Sequence, residues 1–312
     1  MILTDGVYFF YFHDISNSVY IPQSIRTSPK RFESELNYIT QHFSVIPLQE
    51  GLAHIRKKIK DNRPYEKRYA VINFDDGFKS IVSNALPLLK KHKTPFSIFV
   101  NSEFALQKSV SEALIIDYLM KQKTPDELSE VVPGFKKEMN FRQFVKSHSS
   151  TKQFQVLNDL VGTELLDKYP YLSMDEIRDL PGELVTIGNH TAKHLFLSKL
   201  SRKDQKKEIK ECEAVLQSLP RFVPITAIPY GSKDSFNKDT QSLMAECNDN
   251  FLITAIGGIN HTMSERQIEI ERIGLSDKKR NIKIHVRNRT KKLNIFELMA
   301  NKVHQKLFGT SN

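Results

Sequence analysis

Two adjacent carboxylates, Asp75 and Asp76, stand at the end of an apolar run and directly before a glycine. Like charges side by side repel each other, and such a pair becomes favourable when a cation neutralises one of them. An Asp-Gly turn that closes a strand explains the same residues without any chemistry. The pair therefore indicates either a cation site or an ordinary turn.

Two histidines, His190 and His194, follow another apolar run and are four residues apart. On a helical turn this spacing places both imidazole rings on one face, where they can bind one metal ion. A pair of surface or helix-capping histidines is the alternative interpretation.

Two further polar groups also follow apolar runs. His13 comes after the first run, and Tyr230 lies between Pro229 and Gly231 after a later one. A histidine bound to backbone groups and a plain proline-glycine turn are the structural alternatives. In α/β barrels, however, functional groups gather at the carboxyl ends of the strands. We therefore expect all these groups to meet at one end of the fold.

The combination of these groups predicts a metal-dependent hydrolase site. One aspartate and two histidines form a known ligand set for zinc, and also for iron, cobalt or manganese. Three protein ligands leave one position open for water. A spare carboxylate beside that position can accept the proton of the water.

Short apolar runs at intervals along the chain are predicted to be strands. Most are apolar throughout, which is typical of strands buried on both faces. Helical patterns lie between them, and this alternation predicts an α/β fold with a mostly parallel sheet. The number of strands, about seven, suits a distorted (β/α) barrel at least as well as an open sheet. The runs are 7–12, 70–74, 96–100, 184–187, 225–228, 251–255 and 268–273.

Two helices have recognisable starts. Ser173 with Glu176 forms a capping box that opens a short helix reaching Leu180. Ser201 and Asp204 resemble the N-terminal cap of a longer helix, which carries an apolar stripe at helical spacing.

The organisation of the chain indicates a single domain, residues 1–312. The stretch 102–171 is long, polar and helix-prone, and we interpret it as a helical insertion that covers one face. After Leu293 the pattern predicts a closing amphipathic helix within a basic C-terminal extension, 276–312. No internal repeat or Gly/Ser-rich linker interrupts the chain.

The composition is that of an ordinary globular protein, with 39% hydrophobic residues and a net charge of +10. It excludes collagen-like and disordered classes. No apolar stretch approaches the roughly 18 residues of a membrane-spanning helix, and two cysteines cannot form a disulfide framework. The first residues lack the basic and apolar regions of a secretory signal. We therefore expect a cytoplasmic protein, or one peripheral to the inner face of the membrane.

The segment 276–292 contains eight basic residues and one acidic residue. Such a segment fits an anionic lipid surface or a phosphate-bearing substrate. A solvated surface that keeps the protein soluble is the alternative. No zinc-finger spacing or RNA-binding aromatic motif accompanies it, so we expect no nucleic-acid partner.

The chain resembles the polysaccharide deacetylase family, the NodB-homology group of carbohydrate esterases. Residues 73–77 are similar to its first motif, which contains Phe-Asp-Asp-Gly, and residues 190–194 to its second motif, His-Ser/Thr-x-x-His. Residues 229–231 are similar to the end of its third motif. The segments 11–15 and 172–177 look like the corresponding stretches of one subgroup.

The resemblance implies a distorted (β/α) barrel that removes acetyl groups from N-acetylated sugars with the help of a divalent metal, Zn²⁺ being the expected ion. By the family pattern, Asp75 is the general base. Asp76, His190 and His194 hold the metal. Tyr230 donates its backbone N–H to the developing oxyanion, which the metal also stabilises.

The chain departs from the family pattern at three places. Ala227 stands where the third motif has an arginine that orients the base, and the chain has no tryptophan to line the pocket. The residues 283–285, Lys-Ile-His, match the fifth motif poorly, although this motif normally supplies the general acid. We expect His13 to donate that proton instead, because its strand opens onto the same face.

The leading interpretation is a deacetylase that acts on the N-acetyl group of an amino sugar in a polysaccharide, a glycolipid or a precursor. One alternative is the same metal site hydrolysing a non-sugar amide. Another is a catalytically silent relative that binds glycan, which the missing arginine and tryptophan favour. The retention of Asp75 beside Asp76, His190 and His194 argues against a silent protein.

Overall fold

The computed structural model describes residues 5–61, 65–162, 164–247, 250–258, 260, 268–279 and 282. Its strands are short, and most are buried along their whole length. In chain order they are β1 (Gly6–Phe12), β2 (Asp14–Ile15), β3 (Arg26–Thr27), β4 (Ser44–Val45), β5 (Arg68–Asp76), β6 (Phe96–Val100), β7 (Val185–Asn189), β8 (Phe222–Thr226), β9 (Phe251–Ile253), β10 (Ile268–Ile270) and β11 (Arg272–Gly274).

Helices connect these strands. In chain order they are α1 (Pro29–His42), α2 (Leu48–Asp61), α3 (Leu86–Lys91), α4 (Ser102–Ala105), α5 (Glu112–Gln122), α6 (Pro125–Val131), α7 (Phe141–Ser147), α8 (Thr151–Val161), α9 (Glu164–Lys168), α10 (Met174–Arg178), α11 (Arg202–Leu216) and α12 (Lys238–Cys247). A π-helical turn, Ile81–Ala85, precedes α3, and a 3₁₀ turn, Leu197–Lys199, precedes α11.

The main sheet is parallel throughout its described pairs and runs in the order β11-β1-β5-β6-β7-β8, with β4 beside β5. A second sheet pairs β9 with β10, which leads into β11 after one residue. Between β8 and β9 a single parallel bridge, Ala227 to Ile253, replaces a continuous ladder. The strands thus surround a common interior, and the predicted distorted α/β barrel of about seven strands is confirmed.

The alternation of side chains along each strand separates an inner from an outer apolar layer. On β1, Phe9 belongs to the cluster inside the barrel, with Phe99 and Ile253. Its neighbours Tyr8 and Phe10 belong to the outer cluster. Helices α1 and α11 cover that outer layer, and residues of α2 pack with the inner one. Because both faces are buried, these strands are apolar throughout, as their sequences indicate.

Both helix starts predicted from sequence are present. The Ser173 hydroxyl accepts the N–H of Glu176 at 3.3 Å, and the Glu176 carboxylate accepts the N–H of Ser173 at 2.7 Å, which completes the capping box. Ser201 accepts the N–H of Asp204 at 3.2 Å and caps α11. The apolar stripe of α11 is buried at Ile209, Cys212 and Leu216, and the helix ends at Leu216.

Two strand predictions need correction. β8 starts at Phe222, three residues before the predicted start, because its first residues are only partly buried and lack a strong apolar signal. The predicted strand 268–273 is two strands, since Glu271 interrupts it between β10 and β11.

The segment 102–171 contains helices α4 to α9. They form a second apolar cluster that also includes Leu195 and Ile228 from loops after the barrel strands, so these helices lie against the carboxyl ends of the strands. The predicted helix after Leu293, residues 283–285 and most of the segment 276–292 lie outside the described residues. In the part of the chain that is described, no helix is long and apolar enough to cross a membrane.

Packing inside the barrel leaves no room for a side chain at Gly188. A Cβ there would lie 2.5 Å from the ring of Phe99 and 3.2 Å from the carbonyl oxygen of Ile225. We expect Gly188→Ala to lower the free energy of unfolding by about 1–3 kcal/mol, because overpacking displaces the neighbours. Urea denaturation measures this loss. Adding Phe99→Leu should recover part of the stability, and an unchanged midpoint in the single variant would contradict the packing described here.

Candidate active site

The ends of neighbouring parallel strands bring the candidate residues together. Asp75 and Asp76 are the last two residues of β5, and His190 directly follows β7. Tyr230 lies four residues beyond β8, and His13 directly follows β1. Because these strands are parallel, their carboxyl ends share one side of the barrel, as the sequence predicts.

The backbone at these strand ends is unusual. Asp76, Thr191, His194 and Tyr230 have φ values of 69°, 68°, 58° and 60°, in the left-handed region that side chains other than glycine rarely adopt. Non-glycine residues in this region cluster at functional sites, where the surrounding structure holds them in place. Gly231 also has a positive φ, and a Cβ there would lie 2.4 Å from the backbone nitrogen of Ala255.

The two histidines converge without a helical turn, so the turn expected from their spacing is wrong. Residues 190–194 form an irregular loop in which Thr191 and His194 are left-handed. The rings of His190 and His194 nevertheless lie 4.9 Å apart, centroid to centroid. Four-residue spacing alone could not distinguish a helix from this loop.

Asp76, His190 and His194 form a buried group with the geometry of a metal site. Asp76 Oδ1 lies 3.6 Å from His190 Nε2 and 3.4 Å from His194 Nε2. Two ligands of a tetrahedral zinc ion, with bonds of about 2.0–2.1 Å, lie about 3.3 Å apart. One candidate ligand atom from each of the three residues can be chosen so that all lie within 4.8 Å of one another.

One oxygen of this group fits a metal because nothing else among the described residues satisfies it. Asp76 Oδ1 is buried and has no hydrogen-bond partner there, and it is the atom that faces Nε2 of both histidines. His190 Nδ1 lies 2.9 Å from the carbonyl oxygen of Ala227, so that nitrogen carries the proton and Nε2 presents a lone pair towards Asp76. An Asp-His-His set with an aligned outer hydrogen bond suits a divalent transition metal.

The charges of the metal-free group also favour a cation. Burial and the neighbouring Asp75 carboxylate raise the pKa of Asp76 well above its usual value. Burial lowers the pKa of His190, and burial together with the His190 charge lowers that of His194 well below its usual value. The imidazoles are therefore neutral, which is the form that binds metal. Ionised Asp76 needs a positive charge beside it.

Asp75 has a different environment, because Arg272 pairs with it. The guanidinium of Arg272 donates to both carboxylate oxygens of Asp75, at 2.7 and 2.8 Å, and both side chains are buried. Burial raises the pKa of Asp75, but the charge and hydrogen bonds of Arg272 outweigh it and lower the pKa to about 2. Asp75 is thus held as a carboxylate and oriented by two parallel bonds.

The sequence indicated that the arginine partner of the base is missing. This conclusion is wrong, because Asp75 pairs with Arg272. Its side chain starts on β11 and is held by a bond from Nε to the carbonyl oxygen of Thr254, 2.9 Å, and by the rings of Tyr11 and Phe99 at 4.7 and 5.5 Å. The arginine therefore comes from another strand than Ala227. Its signal in the sequence is the alternation Ile268, Ile270, Arg272, which places a charge at an inward-facing position.

His13 lies close enough to Asp75, His190 and Arg272 for their charges to shift its pKa, so β1 does bring it to the same side of the barrel. Its ring packs edge-on against Tyr11, with centroids 5.5 Å apart, and the residue is partly exposed. Burial of the ring lowers its pKa to about 4, against the opposing effect of Asp75. His13 is therefore neutral at neutral pH.

Aromatic side chains line the other side of the group. The ring of Tyr230 lies 4.7 Å from that of His194 and stacks on Phe196 at 3.8 Å. Phe104 of α4 stands 6.5 Å from His194 and 4.6 Å from Tyr171. Phe104 and Tyr171 of the helical insertion, together with Tyr230 and Phe196, thus form an aromatic wall in a chain that has no tryptophan.

The geometry defines a class of protein, an α/β barrel with a buried Asp-His-His group and an ionised carboxylate beside it. The sequence matches the family model for polysaccharide deacetylase over residues 62–250, more than half of the chain. The chain therefore belongs to the polysaccharide deacetylase family, whose members are hydrolases of carbon–nitrogen bonds.

Similarity to individual proteins is more limited. A poly-beta-1,6-N-acetyl-D-glucosamine N-deacetylase of Staphylococcus aureus is 32% identical over 92 residues, which is 30% of this chain and 29% of that protein. The matched part thus spans less than a third of the curated relative. The Streptococcus pyogenes deacetylase PplD, solved in complex with acetate, superposes with a TM-score of 0.56 and 16% identity, over 88% of this chain and 94% of that one. IcaB from Ammonifex degensii gives 0.55 and 16%, over 88% and 93%. These structures show the same fold.

Removing Arg272 leaves the Asp75 carboxylate buried and unpaired. We expect Arg272→Met to lower the free energy of unfolding of the metal-free protein by about 3–5 kcal/mol at neutral pH. In the folded wild type the pKa of Asp75 is about 2, compared with 3.8 for an unperturbed aspartate. The ion pair therefore stabilises the folded protein above pH 3.8, and this stabilisation is lost as the pH falls towards 2. In the variant the opposing effect of Arg272 is absent, so burial, the largest effect on this carboxyl, raises the pKa of Asp75.

The stability gap between wild type and Arg272→Met should therefore shrink as the pH is lowered from 8 to 4, measured by urea denaturation with a chelator present. Arg178→Met is the matched control, because Arg178 pairs with Asp175 at the exposed surface and such pairs contribute at most about 1 kcal/mol. Equal losses in the two variants, or a gap independent of pH, would contradict the assigned role of Arg272.

Proposed function

We propose that this protein is a metal-dependent deacetylase that hydrolyses the N-acetyl group of an amino sugar in a polysaccharide. The observation that carries the proposal is the division of charge between neighbours: Asp75 is paired with Arg272, whereas Asp76 Oδ1 faces two neutral imidazoles and has no ion pair with a lysine or arginine among the described residues. A metal-dependent hydrolase that activates water needs both a cation site and an ionised base, and this arrangement provides them side by side.

Asp76, His190 and His194 would hold the metal. When bound, a divalent ion such as Zn²⁺ supplies Lewis acidity, which polarises an acyl oxygen and lowers the pKa of water. Asp75 stays ionised because of Arg272 and accepts the proton of the attacking water on a carboxylate oxygen. The two hydrogen bonds from Arg272 fix the direction of that carboxylate.

Tyr230 and His13 complete the assignment. The backbone N–H of Tyr230 donates to the oxyanion that develops on the acetyl group, and its left-handed conformation and packed ring hold that N–H in position. His13 donates a proton to the amine that leaves. Because its ring starts neutral, the proton that it gives to the amine is the one that Asp75 has accepted from the attacking water, and this transfer returns Asp75 to its carboxylate form.

The substrate class rests on the relatives. The similar S. aureus protein is named for poly-beta-1,6-N-acetyl-D-glucosamine, and PplD was solved with acetate, the second product of deacetylation. We therefore propose β-1,6-linked N-acetylglucosamine oligomers as the first substrates to test. Contact with phosphate or anionic lipid through residues 276–292 and a cytoplasmic location stay predictions from sequence.

Asp75→Asn tests the roles of the two aspartates. The amide is similar in shape but cannot accept a proton from water, so kcat should fall by about 10²–10⁴-fold. Metal content, measured by elemental analysis, should stay at the wild-type level, because Asp76 and the histidines are unchanged. Acetate release is the assay.

Asp76→Asn is the matched comparison and should lose metal together with activity. Metal loss in both variants would contradict the assignment of Asp75 as the base. Absence of acetate release by the metal-loaded wild type from any N-acetylated glycan would favour either a different amide substrate or a silent glycan-binding protein.

His13→Asn tests the general acid. We expect kcat to fall by about 10²–10⁴-fold because the leaving amine would lack its proton donor. Metal occupancy should be unaffected, since His13 is outside the proposed ligand group. His148→Asn, at the end of α7 in the insertion, is a suitable control with normal turnover expected. Near-normal turnover of His13→Asn would refute the role.

A further inference from the structure

The loop that carries both histidines has to be held in shape by its surroundings. Thr191 and His194 both adopt left-handed backbone conformations, which residues with side chains avoid when they are free to choose. The loop is not part of a helix or strand, so it has no regular hydrogen-bond ladder of its own. Hydrogen bonds from other elements must therefore compensate for this strain.

Helix α11 supplies two of these bonds through one residue, Glu208. Its side-chain oxygen Oε2 accepts the backbone N–H of Lys193 at 2.8 Å, and its backbone carbonyl accepts the N–H of Ala192 at 3.0 Å. The next residue, Ile209, accepts from the side chain of Asn189 at 2.9 Å. Two successive residues of α11 thus bind the loop at its start and at its centre.

Glu208 is only 2% exposed, although it is an acidic residue on an outer helix. Burial raises its pKa, while the Lys193 ammonium and backbone N–H oppose that effect. A buried carboxylate is costly unless its bonds are strong and well directed. Here those bonds go to the residue directly before His194.

Lys193 has a second connection to acidic groups. Its ammonium lies 3.6 Å from carboxylate oxygens of Glu208, Glu211 and Glu103. The loop is also bound on the other side, where the N–H of Glu103 donates to the carbonyl of Ala192 at 3.1 Å. The positive charge of Lys193 is therefore held among carboxylates.

We propose that Glu208 is a positioning residue for the metal site: its buried carboxylate, bonded to the N–H of Lys193, fixes the loop that presents His190 and His194 and thereby sets the affinity for the metal ion. The inference rests on the proposed metal site. Glu208 itself touches neither the metal ligands nor the substrate. Outer partners that orient metal ligands contribute substantially to affinity, and their loss typically costs about 10–100-fold.

The experiment measures the dissociation constant for Zn²⁺ by chelator competition, with the full-length chain prepared free of metal. Glu208→Ala should weaken binding by about 10–100-fold. Glu208→Gln should bind close to the wild-type value, because its amide oxygen can still accept the N–H of Lys193. Glu208→Asp should be weakened although it keeps the charge, since its carboxylate is one methylene too short. The glutamine and aspartate variants together separate the effect of side-chain length from that of charge, even if the alanine variant does not fold.

Glu211→Ala is the matched control. Glu211 lies on the same helix and pairs with the same lysine, but it is half exposed and has no described bond to the loop backbone. Its removal should leave the Zn²⁺ affinity unchanged. Urea denaturation of each metal-free variant separates a loss of global stability from a change in binding.

The outcomes distinguish the two levels of inference. Wild-type affinity in Glu208→Ala or Glu208→Asp overturns the positioning role, and so does equal weakening in Glu208→Ala and Glu211→Ala, which would show that only the lysine charge matters. A wild-type chain that binds no metal ion overturns the proposed function itself, and this inference with it.

Discussion

Two neighbouring carboxylates that are both buried cannot both be charged unless each has its own positive partner. Asp75 and Asp76 meet this constraint in different ways. Arg272 reaches Asp75 through the barrel and keeps its pKa near 2, whereas Asp76 faces two imidazoles that burial keeps neutral. Burial and the neighbouring Asp75 carboxylate therefore raise the pKa of Asp76 well above its usual value. One aspartate is thus held as a carboxylate, and the other requires a cation to become charged.

The same constraint explains how the surrounding structure is used. The inward-facing rings of Tyr11 and Phe99 pack against the guanidinium of Arg272 and stabilise its charge in a buried position away from water. The loop from His190 to His194 adopts strained conformations and is bound by α4, α11 and the residues before it. The helical insertion contributes aromatic rings beside His194 and the carboxylate of Glu103 beside Lys193. The barrel interior therefore has to stabilise the buried Asp75–Arg272 ion pair, which its apolar residues alone would not favour.

Much of this could be predicted from the sequence. The apolar runs and their alternation with helical patterns predicted the parallel barrel, because strands buried on both faces leave a clear local signal. The capping box at Ser173 was recognised for the same reason, since all its parts lie within four residues. The motifs also identified the group Asp76, His190 and His194, which the structure brings together. The errors include several strand limits, above all at β8 and β10–β11, the helical turn expected for the histidines, and the arginine partner of Asp75 that the motifs did not contain.

The sequence by itself determined the fold class and which residue types stand at the strand ends, because those properties depend on local spacing and composition. Only the tertiary structure decided which cation neutralises Asp75, since Arg272 is 197 residues away in the chain and belongs to none of the motifs. It also decided that a glutamate on an outer helix holds the histidine loop. Such partners are close in space but far apart in the chain, and a contact between distant residues leaves no periodic pattern in a single sequence.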